Sequence, residues 1–225
     1  MEVKKIIHKG FEEFGNSKML LYVEGVGNII NKINNFLLKC TKLCLIKPYP
    51  KHSIRFAKKY FKGKIINAIE IGTFEGKNAK DILNNLNINK LYLIDPYNTY
   101  TDNSNEYKDI IIEGDKLKKI ENIAKKRLNK YENHIIWIKE CSNDAINKVP
   151  LVEFIYIDGN HSYQNVLNDC KNYWKKVKRG GILAGHDISM VEVLNAVQDF
   201  CKENNLHFQV AGQDWWITKL KKVGR

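Results

Sequence analysis

One segment, residues 68–76 with the sequence AIEIGTFEG, restricts the possible folds of this chain more than any other. Its first half has the apolar pattern of a buried strand, and its glycines predict a turn that opens a helix. A second apolar run, Leu91–Asp95, ends in a carboxylate 19 residues after Gly76. In such a strand-turn-helix-strand unit, the turn presents unpaired backbone N–H groups and the positive end of the helix dipole. The segment therefore predicts a site for a nucleotide-like ligand.

The spacing of the glycines discriminates among nucleotide-like ligands. The dinucleotide fingerprint requires a middle glycine that lets a pyrophosphate approach the backbone. This chain has Thr73 and Phe74 in that space. A ligand with ribose and adenine but without phosphates fits better, and S-adenosylmethionine is the obvious candidate. Asp95 is expected to accept hydrogen bonds from the ribose hydroxyls, because a carboxylate followed by Pro96 at a strand end has little structural purpose.

Composition indicates one domain with a sizeable core and an N-terminal extension, since 44% of the 225 residues are hydrophobic. The five cysteines are scattered and odd in number, which favours a reduced, cytoplasmic setting. The N-terminus is too charged for a signal peptide, and charges interrupt the apolar residues 20–46 too often for a membrane span. The net charge of +12 leaves nucleic-acid binding open. Lysines are nevertheless spread along the whole chain, which indicates coding bias as much as a basic binding face.

The apolar periodicity divides the chain into two parts. Residues 1–50 contain an amphipathic helix and are interpreted as a helical cap, lid or oligomer contact, although ordinary core packing also explains the apolar face. Residues 51–225 are interpreted as the ligand-binding domain. Its predicted strands are Ile65–Ile71, Leu91–Asp95, Ile135–Lys139, Phe154–Asp158, Ile182–Gly185, His207–Ala211 and Trp215–Lys219. Its predicted helices lie around Ala79–Leu86, Asp115–Tyr131, Ser142–Lys148, Val166–Val177 and Val191–Glu203.

Regular alternation of strands and helices predicts an α/β fold, a three-layer Rossmann-like sheet that is mostly parallel. The last two strands are separated by a short connection and predict an antiparallel pair at one end of the sheet. The Gly180-Gly181 pair is expected to stop the helix that precedes the fifth strand. Polar residues cluster at or near the ends of five strands, which should meet at one edge: Glu70, Asp95, Ser142–Asp144, Asp158–His161 and His186–Asp187.

From Glu70 to Asp187 the chain resembles the class I S-adenosylmethionine-dependent methyltransferases. The resemblance is greatest to the metal-dependent O-methyltransferases, including catechol O-methyltransferase and the antibiotic-sugar enzymes grouped with macrocin O-methyltransferase and cephalosporin hydroxylase-like proteins. Glu70, Gly72 and Gly76 form an E-x-G-x-x-x-G motif of intermediate specificity. The sequence DGNHSY at 158–163, followed by GGILAGHD at 180–187, is more specific and resembles the sugar-methylating branch.

The resemblance implies a place for the methionine part of S-adenosylmethionine. The turn formed by Gly72, Thr73 and Gly76 would hold this part of the cofactor. Glu70 would lie near its ammonium group, and Asn78 would meet its carboxylate. A structural ion pair with a lysine is the alternative for Glu70, and a helix cap is the alternative for Asn78.

The nucleoside part is assigned in the same way. The resemblance places Asp95 on the ribose hydroxyls, and Ser142 and Asn143 on either side of the adenine, whose edge needs hydrogen-bond partners. Asp158 is also expected to border the cofactor. Helix capping remains the alternative for Ser142.

The resemblance further implies a divalent metal held by Asp158, His186 and Asp187. Carboxylates suit Mg²⁺, whereas imidazole is a poorer Mg²⁺ ligand. His186 would therefore either favour Mn²⁺ or lie behind the residues that bind the metal. The metal would lower the pKa of the hydroxyl that is methylated. His161 lies where the catechol enzyme has a lysine base, so His161 and Asp158 are the candidate catalytic residues, with a structural turn histidine as the alternative. Tyr163 is expected to help position either residue.

These residues together predict an S-adenosylmethionine-dependent O-methyltransferase, assisted by Mg²⁺ or Mn²⁺, that methylates a hydroxyl of a small molecule such as a sugar. The alternatives are a nucleic-acid (RNA) methyltransferase, motivated by the charge, and a non-catalytic protein that retains the fold. No RNA-binding module and no base-amine methylation motif supports the first alternative. The acceptor pocket is expected between the N-terminal helices, the loop Tyr97–Glu113 and the region Gln213–Trp216. Homo-oligomerisation is left open.

Overall fold

A computed structural model describes residues 50–98, 100–102, 110–112 and 114–220 of the chain. The predicted N-terminal cap, residues 1–50, lies outside the described residues except for Pro50. The proposed division of the chain near residue 50 therefore stays a prediction. Most of the predicted acceptor loop, Tyr97–Glu113, also lies outside them.

The described residues alternate between strands and helices. The helices are α1 (His52–Phe61), α2 (Lys77–Asn85), α3 (Gly114–Leu128), α4 (Ser142–Ala145), α5 (Tyr163–Trp174) and α6 (Val191–Glu203). The strands are β1 (Ile66–Ile71), β2 (Ile88–Ile94), β3 (Tyr100–Asp102), β4 (Ile110–Ile112), β5 (Ile135–Ile138), β6 (Val152–Ile157), β7 (Val177–Gly185), β8 (Gln209–Ala211) and β9 (Asp214–Thr218). Two 3₁₀ turns, Asn129–His134 and Ile146–Lys148, follow α3 and α4.

Seven of the strands form one sheet in the order β5-β2-β1-β6-β7-β9-β8. The first five are parallel to one another, and β9 runs antiparallel to both β7 and β8. The predicted fold, a mostly parallel sheet with an antiparallel C-terminal strand pair, is confirmed. Because the strand order reverses between β1 and β6, the carboxyl ends of these two strands border the crevice where α/β sheets bind ligands.

Helices cover both faces of the sheet and create two apolar layers. On one face, α5 and α6 bury side chains that include Tyr173 and Phe200, and on the other α1 and α2 bury Ile54 and Ile82. The parallel strands are apolar on both sides, as the strand β1 with its sequence INAIEI shows. Each large apolar side chain buried in this way contributes about 1.5–3 kcal/mol to stability.

Three features of the fold differ from the sequence prediction. The strands β3 and β4 form an antiparallel pair within the segment Tyr97–Glu113, which was expected to be a loop. The helix α1 was not predicted, although Ile54, Ala57 and Phe61 recur at helical spacing and pack on the core. The expectation that the glycine pair stops a helix was wrong, because α5 ends at Trp174 and both glycines lie within β7. Gly180 has a φ of +73° there, and the pairing of β6 with β7 shifts register at this point, as in a β-bulge.

Candidate active site

The carboxyl ends of four parallel strands are held in line by backbone hydrogen bonds that continue the sheet. The donors are the N–H groups of residues that follow each strand: Gly72 to Ile94 at 2.9 Å, Asp95 to Ile138 at 3.2 Å, Asp158 to Ile71 at 2.8 Å and His186 to Ile157 at 3.1 Å. These bonds extend the ladder by one residue beyond the regular strands. The predicted polar strand ends therefore lie side by side along one edge.

The glycine turn after β1 is shaped by the loop after β6. Gly72 has a φ of +83°, and a Cβ atom there would clash with the carbonyl oxygen of Asp158 and come within 2.8 Å of the Cα of Gly159. Gly76 has a φ of +71° immediately before α2, and a Cβ there would lie 2.9 Å from Leu128. The protein's own packing thus requires both glycines, in addition to any approach by a ligand.

Buried polar side chains lie at this turn and at the first turn of α2. Glu70 is completely buried in β1, and its Oε1 accepts a hydrogen bond of 2.8 Å from Nδ2 of Asn78. Within the described residues, Oε2 of Glu70, Oγ1 of Thr73 and Oδ1 of Asn78 are buried without a hydrogen-bond partner. Burial raises the pKa of Glu70 to about 8, although the hydrogen bond from Asn78 opposes the shift. These three oxygens, which we call the acceptor cluster, could all receive hydrogen bonds from a bound cation.

Asp95 connects the end of β2 to the glycine turn. Its Oδ2 accepts from the N–H of Phe74 at 2.8 Å, and its Oδ1 accepts from the N–H of Tyr97 at 2.9 Å. Tyr97 closes this arrangement by donating its hydroxyl to the carbonyl of Phe74 at 2.8 Å. Burial raises the pKa of Asp95, and the backbone hydrogen bonds oppose the rise. The expectation that this carboxylate has little structural purpose was wrong, but its oxygens retain lone pairs for ribose hydroxyls.

The predicted adenine residues, Ser142 and Asn143, open α4 and are tied to α5. The carbonyl of Ser142 accepts from the hydroxyl of Tyr173 at 2.7 Å, and Oδ1 of Asn143 accepts from Nδ2 of Asn172 at 3.1 Å. Ser142 also hydrogen-bonds the side chain of the buried Asp169. Burial raises the pKa of Asp169 to about 7, with this hydrogen bond opposing the rise. The contacts fix the position of the α4 N-terminus beside the sheet edge.

Two aspartates and two histidines meet beyond β6 and β7, and we call them the Asp–His centre: Asp158, His161, His186 and Asp187. Nε2 of His161 lies 3.0 Å from Oδ2 of Asp187, and Nδ1 of His186 lies 3.0 Å from Oδ1 of the same carboxylate. Nδ1 of His186 is also 3.8 Å from Oδ1 of Asp158. Burial alone would raise the pKa of Asp187, but the hydrogen bonds from both histidines outweigh it and lower that pKa below its ordinary value.

The Asp–His centre contains a group that could hold one metal ion. One ligand atom each from Asp158, His161 and Asp187 lies within 4.8 Å of the others. The predicted ligand His186 lies outside that group, whereas the predicted base His161 lies inside it. The backbone of Asp187 is in the left-handed region, with a φ of +55°, which is uncommon for a residue other than glycine. Such a conformation is found more often where function requires a side chain in a particular direction.

A protein-family model described as a methyltransferase domain matches residues 69–188, more than half of the chain. The chain belongs to this methyltransferase family. The match begins within β1 and ends just after Asp187, so it includes the glycine turn, the acceptor cluster and the Asp–His centre. The predicted methyltransferase family is thereby confirmed.

One relative is similar to about half of this chain. An uncharacterized protein of Acanthamoeba polyphaga mimivirus is 31% identical over 127 residues, which are 53% of this chain and 50% of the relative. The methyltransferase chain thus spans about half the length of the curated relative it matches.

Two solved structures share the fold at low sequence identity. The O-methyltransferase NovP is 12% identical with a TM-score of 0.55, and the match covers 75% of this chain and 78% of NovP. An O-methyltransferase from Bacillus cereus, solved in complex with SAH, is 13% identical with a TM-score of 0.54, and the match covers 90% and 94% of the two chains. At this level of identity the likeness shows the fold.

The candidate site includes two residues that were not predicted. Nζ of Lys51, just before α1, lies 2.8 Å from Oδ2 of Asp158. Asp214 is 2% exposed and accepts hydrogen bonds from Ser53 and Tyr156, while its Oδ1 lies 3.8 Å from Nε2 of His186. For Asp214 a signal existed, because an acid directly before the apolar run WWIT predicts a buried carboxylate. For Lys51 there was none, since it is one of many lysines.

The side chain of Tyr163 does not position the Asp–His centre as expected. Its hydroxyl donates to Oδ2 of Asp199 on α6 at 2.8 Å, because Tyr163 begins α5 and faces the neighbouring helix.

In the part of the chain that the structure describes, no helix is long and apolar enough to cross a membrane.

Proposed function

We propose that this domain is an S-adenosylmethionine-dependent O-methyltransferase that methylates a hydroxyl group of a small molecule, such as a sugar. The observation that carries the proposal is the placement of two unlike sites at neighbouring strand ends. The acceptor cluster beside β1 suits a cation such as the ammonium group of the cofactor. The Asp–His centre beyond β6 and β7 suits the removal of a proton from a hydroxyl.

The acceptor cluster fits the methionine end of the cofactor by its chemistry. An ammonium group has three N–H donors, and the cluster offers three buried oxygens that have no partner within the described residues. A positive charge beside Glu70 would favour the ionised carboxylate and so lower its raised pKa. When bound, S-adenosylmethionine supplies the electrophilic methyl group. Asp95, Ser142 and Asn143 remain the proposed contacts for its ribose and adenine.

The pairing of His161 with Asp187 gives the histidine a defined proton position. If Nε2–H of His161 donates to Asp187, the lone pair of the neutral ring lies on Nδ1. Nδ1 would take the proton of the substrate hydroxyl that is methylated, while the oxygen of this hydroxyl bonds to the methyl carbon and the carbon–sulfur bond breaks. The electron pair of that bond stays on sulfur, which loses its positive charge. Asp187 would then stabilise the imidazolium that forms.

A divalent metal is the second part of the proposal. The combination of carboxylate and imidazole donors at Asp158, His161 and Asp187, with His186 beside them, fits Mn²⁺ better than Mg²⁺. A bound metal would supply positive charge that lowers the pKa of the acceptor hydroxyl. If Nε2–H of His161 donates to Asp187 and Nδ1 takes the proton, neither ring nitrogen is left for the metal. With His161 as the base, Asp158, Asp187 and His186 would hold the metal instead.

The test uses the purified chain, radiolabelled S-adenosylmethionine and a panel of sugars and catechols, with and without EDTA. His161→Gln is compared with His134→Gln, which changes an exposed histidine hydrogen-bonded to the carbonyl of Asn89. We expect His161→Gln to lower kcat by at least roughly 100-fold, as for loss of a general base, with the affinity for S-adenosylhomocysteine unchanged. The control variant should retain full turnover.

Turnover that survives both EDTA and His161→Gln would overturn the metal-and-base mechanism. If calorimetry detects no binding of S-adenosylhomocysteine, the chain is a non-catalytic member of the family instead. A weaker affinity for S-adenosylhomocysteine in His161→Gln, with kcat unchanged, would place His161 in cofactor binding.

A further inference from the structure

Lys51 forms an ion pair with a carboxylate of the Asp–His centre. Its Nζ is 2.8 Å from Oδ2 of Asp158 and 4.9 Å from the centre of the Tyr156 ring. The side chains of Lys51 and Asp158 are only 27% and 20% exposed. Water therefore screens this pair less than it screens an ion pair on the open surface.

The backbone around Lys51 is fixed by buried hydrogen bonds. The N–H and the hydroxyl of Ser53 donate to Oδ2 of Asp214 at 2.8 and 2.7 Å, and the hydroxyl of Tyr156 donates to Oδ1 at 3.0 Å. The carbonyl of Lys51 accepts from the N–H of Arg55 in the first turn of α1. Because Asp214 joins α1 to β6 and β9, the fold itself directs the lysine stem across Tyr156 towards Asp158.

We propose that Lys51 is a built-in cation that competes with a divalent metal for Asp158 and thereby sets the metal affinity of the site. An ammonium group and a metal ion cannot share the same carboxylate lone pairs, and their like charges repel each other at this distance. Lys51 therefore opposes metal binding at Asp158, and it must withdraw wherever both cations would use Oδ2. Without metal, Lys51 prevents a half-buried carboxylate from being left unpaired. The inference rests on the metal site of the proposed function.

The competition is measured by titrating Mn²⁺ and following free Mn²⁺ by electron paramagnetic resonance. Lys51→Met removes the charge but keeps an apolar stem of similar length over Tyr156. We expect it to bind Mn²⁺ roughly tenfold more tightly than the wild type, which corresponds to about 1.4 kcal/mol. Lys51→Arg keeps the charge and should bind Mn²⁺ as the wild type does. The matched control, Lys58→Met, removes a charge from the adjoining helix α1, where Nζ of Lys58 lies 3.4 Å from Oδ1 of Asn85.

Unchanged or weaker Mn²⁺ binding by Lys51→Met would overturn the proposal, and so would the absence of Mn²⁺ binding in every variant. Circular dichroism checks that each variant is folded, and Lys51→Gln serves if the methionine variant is not. In the Lys51→Met background, Asp158→Asn should abolish the gain, since the competition concerns that carboxylate. Calorimetry with S-adenosylhomocysteine is independent of the Mn²⁺ titration. Its failure would contradict the methyltransferase proposal. Unchanged Mn²⁺ affinity in Lys51→Met would contradict only the role of Lys51, whereas the absence of Mn²⁺ binding in every variant would also contradict the metal site of the proposed function.

Discussion

At the scale of single residues, the glycine turn shows how two constraints act on one position. Gly72 needs a positive φ, and its neighbours in the loop after β6 leave no room for a side chain. Gly63 also has a positive φ, of +78°, but nothing lies within 4 Å of the place where its Cβ would be. Comparing substitutions at these two glycines therefore distinguishes the cost of backbone strain from the cost of steric overlap.

Gly72→Ala is expected to lower the free energy of unfolding by more than about 3 kcal/mol, because strain at positive φ adds to the overlap. Gly63→Ala should cost only about 1 kcal/mol, since strain acts alone there. Urea denaturation of the two variants measures the difference. Equal losses of stability would show that the loop after β6 moves aside without cost.

Glu70 predicts a dependence of stability on pH. Its pKa is raised by burial from an ordinary value of 4.5 to about 8 in the folded chain. The folded state therefore holds a proton that the unfolded state loses between these values. The stability that Glu70 contributes is complete below about pH 4.5 and is lost as the pH rises through 8. The change is of the order of a few kcal/mol.

Glu70→Gln removes the titration and keeps an oxygen that can accept from Asn78. Urea unfolding should show that the free energy of unfolding of the wild type declines from pH 5 to pH 8. The decline should be smaller in the variant, and the difference is the contribution of Glu70. The same decline in both proteins would contradict the raised pKa of Glu70. With S-adenosylhomocysteine bound, the wild type should lose less stability on going to pH 8, because an ammonium group favours the ionised carboxylate.

At the scale of elements, α1 depends on one buried carboxylate. Asp214 accepts hydrogen bonds from the N–H and hydroxyl of Ser53 and from the hydroxyl of Tyr156. Asp214→Ala leaves these donors buried without partners, so we expect a loss of about 2–4 kcal/mol in the free energy of unfolding. Hydrogen exchange followed by mass spectrometry should also become faster across α1.

Asp199→Ala is the control, since the exposed Asp199 accepts a single bond from Tyr163 and its loss should cost less than about 1 kcal/mol. Similar losses for the two variants, or unchanged exchange in α1, would contradict the role given to Asp214.

The elements also show what local patterns predict. The bounds of α6 agree with the prediction, because its apolar side chains recur at helical spacing along its whole length. The helix α1 was missed, although Ile54, Ala57 and Phe61 show the same helical spacing. The glycine pair in β7 was assigned to a helix end because glycine is common there, whereas here it forms a bulge against β6. A bulge depends on the neighbouring strand, which the local sequence does not contain.

At the scale of the whole molecule, the order of the strands creates the candidate site. Parallel strands bring Glu70, Asp95, Asp158 and His186 to one edge although up to 116 residues separate them in the sequence. This convergence was predictable, because the carboxyl ends of parallel strands always share an edge. The partners of each side chain were not predictable, and neither Lys51 nor Asp214 was expected at the site.

The alternation of strands and helices, the glycine turn and the set of polar strand ends could be predicted, since each rests on periodicity or spacing within a short segment. The pairing of Lys51 with Asp158, the hydrogen bond from Ser53 to Asp214 and the place of His161 in the candidate metal group became evident only from the folded chain. The first two contacts join residues 107 and 161 positions apart. Contacts at such separations depend on how the elements pack, and packing leaves no periodic pattern in the chain.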